Sequence, residues 1–286
     1  MLKTLWVGAR PVQWTKNLLV AAAPIAAGAF DTRSVVRTLV AFGLFCLVSS
    51  STYLANDVMD RDADRLHRDK RRRPIAAGTL SVHVACTVAA IGFVAAMVSA
   101  ALLSAPFLLV LAGYVTSTLA YSLWLKRVAT LELFVVAAGF VFRAIGGAVV
   151  TGVPVSGWFL SVTSLVALMI VAGKRASEIS LPHAVEHRGV LAEYTLGFLH
   201  AVLATTAGAA TVTYILWSIE STSLHPGGAV WFQMSSAVFL LALVRYLNLV
   251  FAGHGGAPER LVLRDPLLRL SAAVWAVVFC VGVILS

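Results

Sequence analysis

Charged residues and cysteines are scarce in this sequence. Charged side chains make up 12% of the 286 residues, hydrophobic side chains make up 59%, and the mean hydropathy is +0.89. This balance excludes a soluble globular protein and predicts an integral membrane protein with one helical domain over residues 1–286. Cys46, Cys86 and Cys280 lie within apolar runs, so they are interpreted as small core residues, and no disulfide is predicted.

A signal peptide and internal repeats are also missing. The N-terminal basic residues are spread over a mixed stretch and do not precede a cleavage site, so no cleavable signal peptide is expected. No period of about 20–50 residues repeats, whereas transporters often contain internal repeats. The net charge of +9 comes from lysines and arginines placed between apolar runs, so it does not indicate a nucleic-acid partner.

Nine apolar runs approach the length of about 20 residues that a membrane-spanning helix needs. They cover residues 17–30, 35–54, 81–103, 106–124, 130–151, 157–173, 195–219, 230–250 and 267–285. The sequence therefore predicts an all-α, polytopic membrane protein with nine transmembrane helices. Lysines and arginines are concentrated in alternate loops, which predicts a cytoplasmic N-terminus and an external C-terminus. The two longest cytoplasmic loops, at about 57–80 and 174–194, are expected to cap an active site on that side.

A group of acidic residues ends the second apolar run. If this run is a helix that continues, Asn56, Asp60 and Asp64 recur every four residues and share one face, with Asp57 beside them. Aligned carboxylates repel one another, and a divalent cation would neutralise them. Oxygen-only ligands suit Mg²⁺, so all four are predicted metal ligands and the three aspartates are predicted catalytic residues. The alternative is a solvated helix of mixed charge at the membrane edge.

Cations and polar side chains gather largely on the same predicted side of the membrane. Together they suit a Mg²⁺-bound polyphosphate, although each by itself also fits a topological anchor. Arg143 lies in the middle of the fifth apolar run, where a structural pairing and a role in holding an anionic ligand are both open. The predicted substrate-binding residues are Lys16, Arg73, Tyr121, Lys126, Arg127, Arg143, Lys174, Arg175 and Glu178.

The sequence resembles the UbiA-type intramembrane prenyltransferases over nearly its whole length. The residues that carry the resemblance are Asn56-Asp57-x-x-Asp60-x-x-x-Asp64, the following Arg73-Pro74 and Gly78, and Tyr121-x-x-x-x-Lys126-Arg127. The resemblance implies a nine-helix bundle whose cytoplasm-facing cavity binds a Mg²⁺-diphosphate and a lipid chain. Ordinary members carry a second aspartate-rich motif after the sixth helix, whereas this chain has Lys174-Arg175-x-x-Glu178 there.

A narrower subfamily, the decaprenyl-phosphate phosphoribosyltransferases, is similar in further motifs. These motifs are Arg10-Pro11-x-Gln13-Trp14-x-Lys16-Asn17, Lys70-Arg71-x-Arg73-Pro74-Ile75-Ala76-Ala77-Gly78, Arg143-Ala144-Ile145, Gly173-Lys174-Arg175 and Leu263-Arg264-Asp265. The resemblance implies that 5-phosphoribosyl 1-diphosphate reacts with a polyprenyl (decaprenyl) phosphate in a bacterial inner membrane, releasing diphosphate, to supply cell-wall arabinan. On this resemblance, Lys174 and Arg175 would bind anions where other members use a second metal.

Two other functions stay open from the residues. An aromatic-acceptor prenyltransferase of the same fold would be supported by a second acidic motif, which is missing here. A non-catalytic transporter would bind a coupling cation at the aspartates, although no internal repeat supports it. A homo-oligomer is compatible with each of these functions.

Overall fold

The computed structural model describes residues 2–66, 70–180, 189–224 and 227–286, and in these ranges it is helical without β-strands. Its α-helices are α1 (Leu2–Ala9), α2 (Ala22–Ala26), α3 (Thr32–Met59), α4 (Arg61–Leu66), α5 (Val82–Leu103), α6 (Ala105–Leu123), α7 (Leu131–Thr151), α8 (Gly157–Ile179), α9 (Leu196–Leu224), α10 (Ala229–Phe251), α11 (Pro258–Arg264) and α12 (Pro266–Leu285). Four 3-10 helices accompany them: Pro11–Ala21, Lys70–Arg72, Leu125–Arg127 and Gly189–Glu193. The all-α prediction is confirmed.

Eight of the described helices are long and apolar enough to cross a membrane, namely α3, α5, α6, α7, α8, α9, α10 and α12. The remaining predicted span, residues 17–30, instead contains the end of a 3-10 helix and the five-residue α2. Pro11 begins this 3-10 helix and Pro24 lies in α2, and a proline lacks the N–H that a regular helix uses. The polytopic helical prediction is confirmed, with nine as an approximate count of helices.

Side-chain caps set where several of the long helices begin. The Asp31 carboxylate accepts a hydrogen bond from the Ser34 N–H at the start of α3, and Ser81 caps α5 in the same way. Ser104 and Ser156 cap α6 and α8. The first N–H groups of a helix have no partner within it, so these short polar residues between apolar runs fix the helix starts.

α3 and α8 extend into segments that were predicted to be cytoplasmic loops. α3 runs to Met59 and α8 runs to Ile179. Lys174–Glu178, which was predicted to lie in a loop, therefore belongs to α8. Glu178 pairs with Arg175 and Lys174 at spacings of three and four residues, which supports the additional helical turn. Of the rest of the predicted loop 174–194, residues 181–188 lie outside the described ranges.

The first compact unit of the chain comprises Met1–Pro24, Asp31–Trp124 and Phe142–Val153. Within it, α3 packs against α5 and against the 3-10 helix Pro11–Ala21, over a core that includes Phe45 and Phe107. Gly147 of α7 allows a close approach, because a Cβ there would lie 1.7 Å from the Val20 carbonyl oxygen. The absence of a side chain at Gly147 therefore lets the 3-10 helix lie directly on α7.

The second compact unit comprises Ile25–Phe30, Leu125–Val141 and Pro154–Ser286. Within it, α8 and α9 pack together, as do α10 and α12. Their core includes Met169, Leu199 and Leu203, each almost fully buried. The N-terminal half of α7 belongs to this unit and its C-terminal half belongs to the first.

Candidate active site

The acidic end of α3 is divided by a helix break at Asp60. Asp60 has φ −92° and ψ 7°, which ends α3, and α4 begins at the next residue. Hydrogen bonds still cross the break: the Asp60 N–H reaches the Asn56 carbonyl oxygen at 2.9 Å, and the Asp64 N–H reaches the Asp60 carbonyl oxygen at 2.8 Å. The four-residue repeat expected of a continuing helix is thus kept across two helices.

Two arginines bind two of the predicted metal ligands. Arg73 Nη1 donates to Asp57 Oδ1 at 3.0 Å and to Asp64 Oδ2 at 2.7 Å. Arg10 also donates to Asp57 Oδ1, and its guanidinium lies over the ring of Tyr53. The side chains of Asp57 and Asp64 are only 2% and 3% exposed, and carboxylates this deeply buried need such cationic partners. Arg73, predicted to bind substrate, therefore also holds the acidic segment together.

The side-chain oxygen atoms at this helix end are of the chemical types that bind divalent cations. Asn56 Oδ1 is buried and has no hydrogen-bond partner among the described residues, whereas buried acceptors normally have one. Asp57 follows Asn56 directly, and Asp60 lies one helical turn after Asn56. Amide and carboxylate oxygens of this kind suit Mg²⁺. In the described ranges no three His, Cys, Asp or Glu side chains lie close enough together to form a metal site. Asp57 and Asp64 instead both bind Arg73.

Arg143 belongs to a buried polar network of the first unit. It is 6% exposed, its Nε donates to Asn17 Oδ1 at 2.6 Å, and its Nη2 donates to the Tyr114 hydroxyl at 2.8 Å. The guanidinium also lies over the Tyr114 ring, and Asn17 Nδ2 contacts Cys46 Sγ. These contacts support the structural alternative for Arg143, which joins α7 to the N-terminal 3-10 helix. Its role in holding an anionic ligand stays a prediction.

A buried ion cluster in the second unit contains a carboxylate that the motifs did not single out. Glu132 is completely buried in the first turn of α7, and Arg175 Nε and Nη2 donate to its two oxygens at 2.7 and 2.9 Å. Arg175 Nη1 donates to Glu178 Oε2 at 2.6 Å. Lys174 Nζ lies 3.8 Å from the other oxygen of Glu178. The sequence signal for Glu132 was its position as a lone carboxylate in an apolar run, because such a charge must find a cation.

The other predicted binding residues lie on helix ends or short helices. Lys16 is half-buried in the first 3-10 helix, and Tyr121 is half-buried in the last turn of α6. Both belong to the first unit, whereas Lys126 and Arg127 form a 3-10 turn of the second.

The turn that carries Lys126 and Arg127 is fixed at its far end. Thr130 has a positive φ of 65°, which is strained for a residue with a branched side chain. Its N–H donates to the Tyr194 hydroxyl at 2.7 Å, which supports this conformation just before α7 begins. Tyr194 is therefore a structural residue of the site that sequence patterns did not indicate.

The Leu263-Arg264-Asp265 motif has a structural role in the second unit. Asp265 caps α12 by accepting the Leu268 N–H at 2.8 Å, and Arg245 Nε and Nη2 donate to its two oxygens at 3.1 and 2.6 Å. The hydrogen bond from Arg245, followed by that from Leu268, lowers the pKa of Asp265 to about 2. Arg245 thus pairs with this carboxylate and joins α10 to the start of α12.

Known proteins are similar to this chain in sequence over most of its length. The UbiA prenyltransferase family model matches residues 17–272. The decaprenyl-phosphate phosphoribosyltransferase of Corynebacterium glutamicum is 36% identical over 289 residues, covering 98% of this chain and 85% of that protein. The decaprenyl-phosphate phosphoribosyltransferase of Mycobacterium tuberculosis is 40% identical over 276 residues, covering 93% of this chain and 89% of that protein.

Solved structures share the fold at much lower identity. A UbiA homolog from Archaeoglobus fulgidus bound to GPP and Mg²⁺ superimposes with a TM-score of 0.73 at 15% identity, covering 99% of both chains. The same homolog bound to DMAPP and Mg²⁺ also gives 0.73, at 16% identity, over 99% of this chain and 98% of that one. With the family model matched over most of the sequence and relatives at 36–40% identity, the chain belongs to the UbiA prenyltransferase family.

Proposed function

We propose that this protein transfers a 5-phosphoribosyl group from 5-phosphoribosyl 1-diphosphate to a polyprenyl phosphate and releases diphosphate. The observation that carries this proposal is the 36–40% identity to decaprenyl-phosphate phosphoribosyltransferases, over 85–89% of their length. The replacement of the second aspartate-rich motif by Lys174-Arg175-x-x-Glu178 supports it. A donor that carries a phosphate in addition to its diphosphate would need fixed cations of this kind.

The reaction is a substitution at the anomeric carbon of the ribose. An oxygen of the polyprenyl phosphate forms a bond to this carbon, while the bond from the carbon to the diphosphate oxygen breaks and its electron pair leaves with the diphosphate. The acceptor phosphate is already anionic at neutral pH, so no side chain has to remove a proton. The ring oxygen favours an oxocarbenium-like transition state, as in other glycosyl transfers.

Asn56, Asp57, Asp60 and Asp64 are the residues that would hold Mg²⁺, as oxygen donors on successive helical turns. Bound there, Mg²⁺ supplies Lewis-acid neutralisation of the departing diphosphate. The fold neighbours described as bound to Mg²⁺ support a divalent cation in this family. Arg10 and Arg73 already contact Asp57, so both cations lie beside the place where the leaving group would gain charge.

The remaining cations are assigned to the phosphate groups of the two substrates. Lys174, Lys126 and Arg127 are proposed to bind phosphates of the donor, and Lys16 and Tyr121 are likewise proposed as substrate-binding residues. Arg175, Glu178 and Arg143 are proposed to organise these contacts, since each already binds protein groups. The site would face the cytoplasm beneath residues 57–80 and 174–194, in a bacterial inner membrane, because the positive-inside rule predicts that the basic loops are cytoplasmic.

A label-transfer assay tests the proposed function. Membranes containing the protein and Mg²⁺ should move label from the ribose of 5-phosphoribosyl 1-diphosphate into a chloroform-soluble product. The transfer should require an added long-chain polyprenyl phosphate, and membranes without the protein provide the control.

Other outcomes of this assay identify the other functions. Consumption of a polyprenyl diphosphate with the sugar untouched would indicate an aromatic-acceptor prenyltransferase. Absence of any covalent lipid product from a folded protein supplied with Mg²⁺ would reject both transferase activities and favour a transporter.

A further inference from the structure

The 3-10 helix Pro11–Ala21 turns one face toward the protein with a period of three residues. The inward positions are Trp14, Asn17 and Val20, and the outward positions are Val12, Thr15 and Leu18. The outward side chains are exposed, whereas Asn17 and Val20 are completely buried. This pattern follows from the three residues per turn of a 3-10 helix, which align side chains at positions i and i+3. The inward face must hold this helix in place, because 3-10 runs longer than about four residues are uncommon and this one has 11 residues.

Two polar contacts fix the inward face within the first unit. Asn17 Oδ1 accepts a hydrogen bond from Arg143 Nε of α7 at 2.6 Å. One turn earlier, Trp14 Nε1 donates to Ser50 Oγ of α3 at 3.0 Å. Asn17, Arg143 and Ser50 are all buried, and a buried polar group that loses its partner bears the full cost of its desolvation. The helix is therefore attached to α3 and to α7 at defined positions.

Arg10 precedes this helix in a conformation that its surroundings must impose. Its φ of 52° and ψ of 61° are left-handed, which is unfavourable for a residue other than glycine. The guanidinium donates to Asp57 and lies over the Tyr53 ring. Ser50 Oγ donates to the carbonyl oxygen of Ala9 at 3.1 Å, directly before Arg10 in the chain. The backbone that carries this guanidinium is thus held on one side by Ser50 and on the other by the 3-10 helix.

We infer that Ser50, Asn17 and Arg143 are positioning residues that place the Arg10 guanidinium on Asp57. Asn17 lies about 14 Å after Arg10 along the 3-10 helix, at about 2 Å per residue, so its effect must pass through the helix. A displacement of either anchor would move the start of the helix and draw Arg10 away from the carboxylate. The inference rests on the proposed function, in which Arg10 lies beside the departing diphosphate. It gives a buried polar network, distant from the acidic segment, a role in that step.

A double-mutant cycle between Arg10 and Asn17 tests this inference. Arg10→Gln should lower kcat for label transfer about tenfold or more, because it removes a cation beside the leaving group. Asn17→Ala should also lower kcat about tenfold in the wild-type background, but by less than about twofold in the Arg10→Gln background. Substitutions this far apart are normally additive, so a loss of additivity identifies Arg10 as the route. A further tenfold fall in the Arg10→Gln background would mean that Asn17 acts in another way, and the inference would be wrong.

A milder substitution keeps the test decisive if Asn17→Ala does not fold. Ser50→Ala removes the hydrogen bonds to Trp14 and to the Ala9 carbonyl oxygen at once, so it should lower kcat in the wild-type background and leave it nearly unchanged in Arg10→Gln. Thr52→Val is the matched control, because this buried hydroxyl donates to the Val48 carbonyl oxygen at 2.9 Å within α3 itself. Its kcat should stay within about twofold of the wild type. If Ser50→Ala has no larger effect than Thr52→Val, the inference is rejected.

Unfolding measurements separate failure of the inference from failure of the proposed function. Arg10→Gln should lower the thermal midpoint in detergent, because it removes an ion pair of the buried Asp57. This decrease should be at least halved in the Ser50→Ala background, where the ion pair is already weakened. If the wild type transfers no label, the proposed function fails while this coupling should persist. Normal label transfer by the wild type, together with additive shifts of the midpoint, would reject only the inference.

Discussion

Arg73 donates to Asp57 across 3.0 Å, a contact that ties the segment after α4 to the buried end of α3. The same guanidinium nitrogen reaches Asp64 on α4. The acidic end of α3 is therefore an assembled structure in which a cation from the following segment offsets two buried carboxylates. Because Arg73 occupies Asp57 and Asp64, Asp60 is the aspartate of this group that can be changed without breaking those ion pairs.

Substitution of Asp60 should separate catalysis from stability. Asp60→Ala should lower label transfer by about 100-fold or more, because it removes a proposed metal ligand. The variant should still unfold cooperatively in detergent, since the Arg73 ion pairs with Asp57 and Asp64 do not involve Asp60. Asp62→Ala is the matched control: this side chain is 89% exposed, and its removal should leave transfer intact. If Asp60→Ala retains most of its activity in the presence of EDTA, the acidic segment is a solvated helix end and not a metal site.

Packing of the N-terminal 3-10 helix should depend on Gly147. Gly147→Ala would place a Cβ 1.7 Å from the Val20 carbonyl oxygen, so the 3-10 helix must shift and the Asn17–Arg143 hydrogen bond must lengthen. We expect a loss of about 1–3 kcal/mol in unfolding free energy, measured by thermal or denaturant unfolding in detergent. Gly43→Ala controls for the substitution itself, because nothing lies within 4 Å of a Cβ there. Equal stability of the two variants would contradict the close approach.

The Arg245–Asp265 pair should make stability depend on pH in the acidic range. Hydrogen bonds from Arg245 and Leu268 lower the pKa of Asp265 from 3.8 to about 2. A carboxyl whose pKa is lowered on folding stabilises the protein above its ordinary pKa, and this contribution is lost as the pH falls toward the folded-state pKa. Asp265→Asn should therefore lower the thermal midpoint near pH 6, and its difference from the wild type should shrink between pH 3.8 and about 2. A difference that stays constant over this range would exclude the ion pair as its source.

Membrane orientation can be tested with single cysteines in a variant lacking Cys46, Cys86 and Cys280. Thr32 begins α3 and Ser180 follows α8, and both side chains are exposed. If the N-terminus lies in the cytoplasm and residues 17–30 cross the membrane, as the sequence predicts, Thr32→Cys should react with an impermeant thiol reagent added to intact cells. Ser180→Cys should react only after the membrane is permeabilised. The opposite result would reverse the proposed topology.

The contacts around Arg143 and Arg175 show where sequence patterns reach their limit. The motifs singled out both arginines, and the cost of a charge in an apolar environment implied that Arg143 needs partners. Their partners Asn17 and Glu132 lie 126 and 43 residues away in the chain. Spacing rules relate residues within a few helical turns, so they could not identify these pairs. Lys174–Glu178 was expected in a loop because the apolar run ends at residue 173, whereas the helix continues with charge pairs at spacings of three and four residues.

Composition and the alternation of apolar runs determined by themselves that this is an all-α membrane protein, because the hydrocarbon core admits only backbone that satisfies its own hydrogen bonds. The local spacing of Asn56, Asp57, Asp60 and Asp64 was enough to indicate the acidic segment, since four-residue repeats place side chains on one helix face. Only the tertiary structure decided which charges meet. It placed Arg73 on Asp57 and Asp64, and Arg175 between Glu132 and Glu178. A buried charge requires a partner in space, and the packing of helices distant in sequence determines which partner it finds.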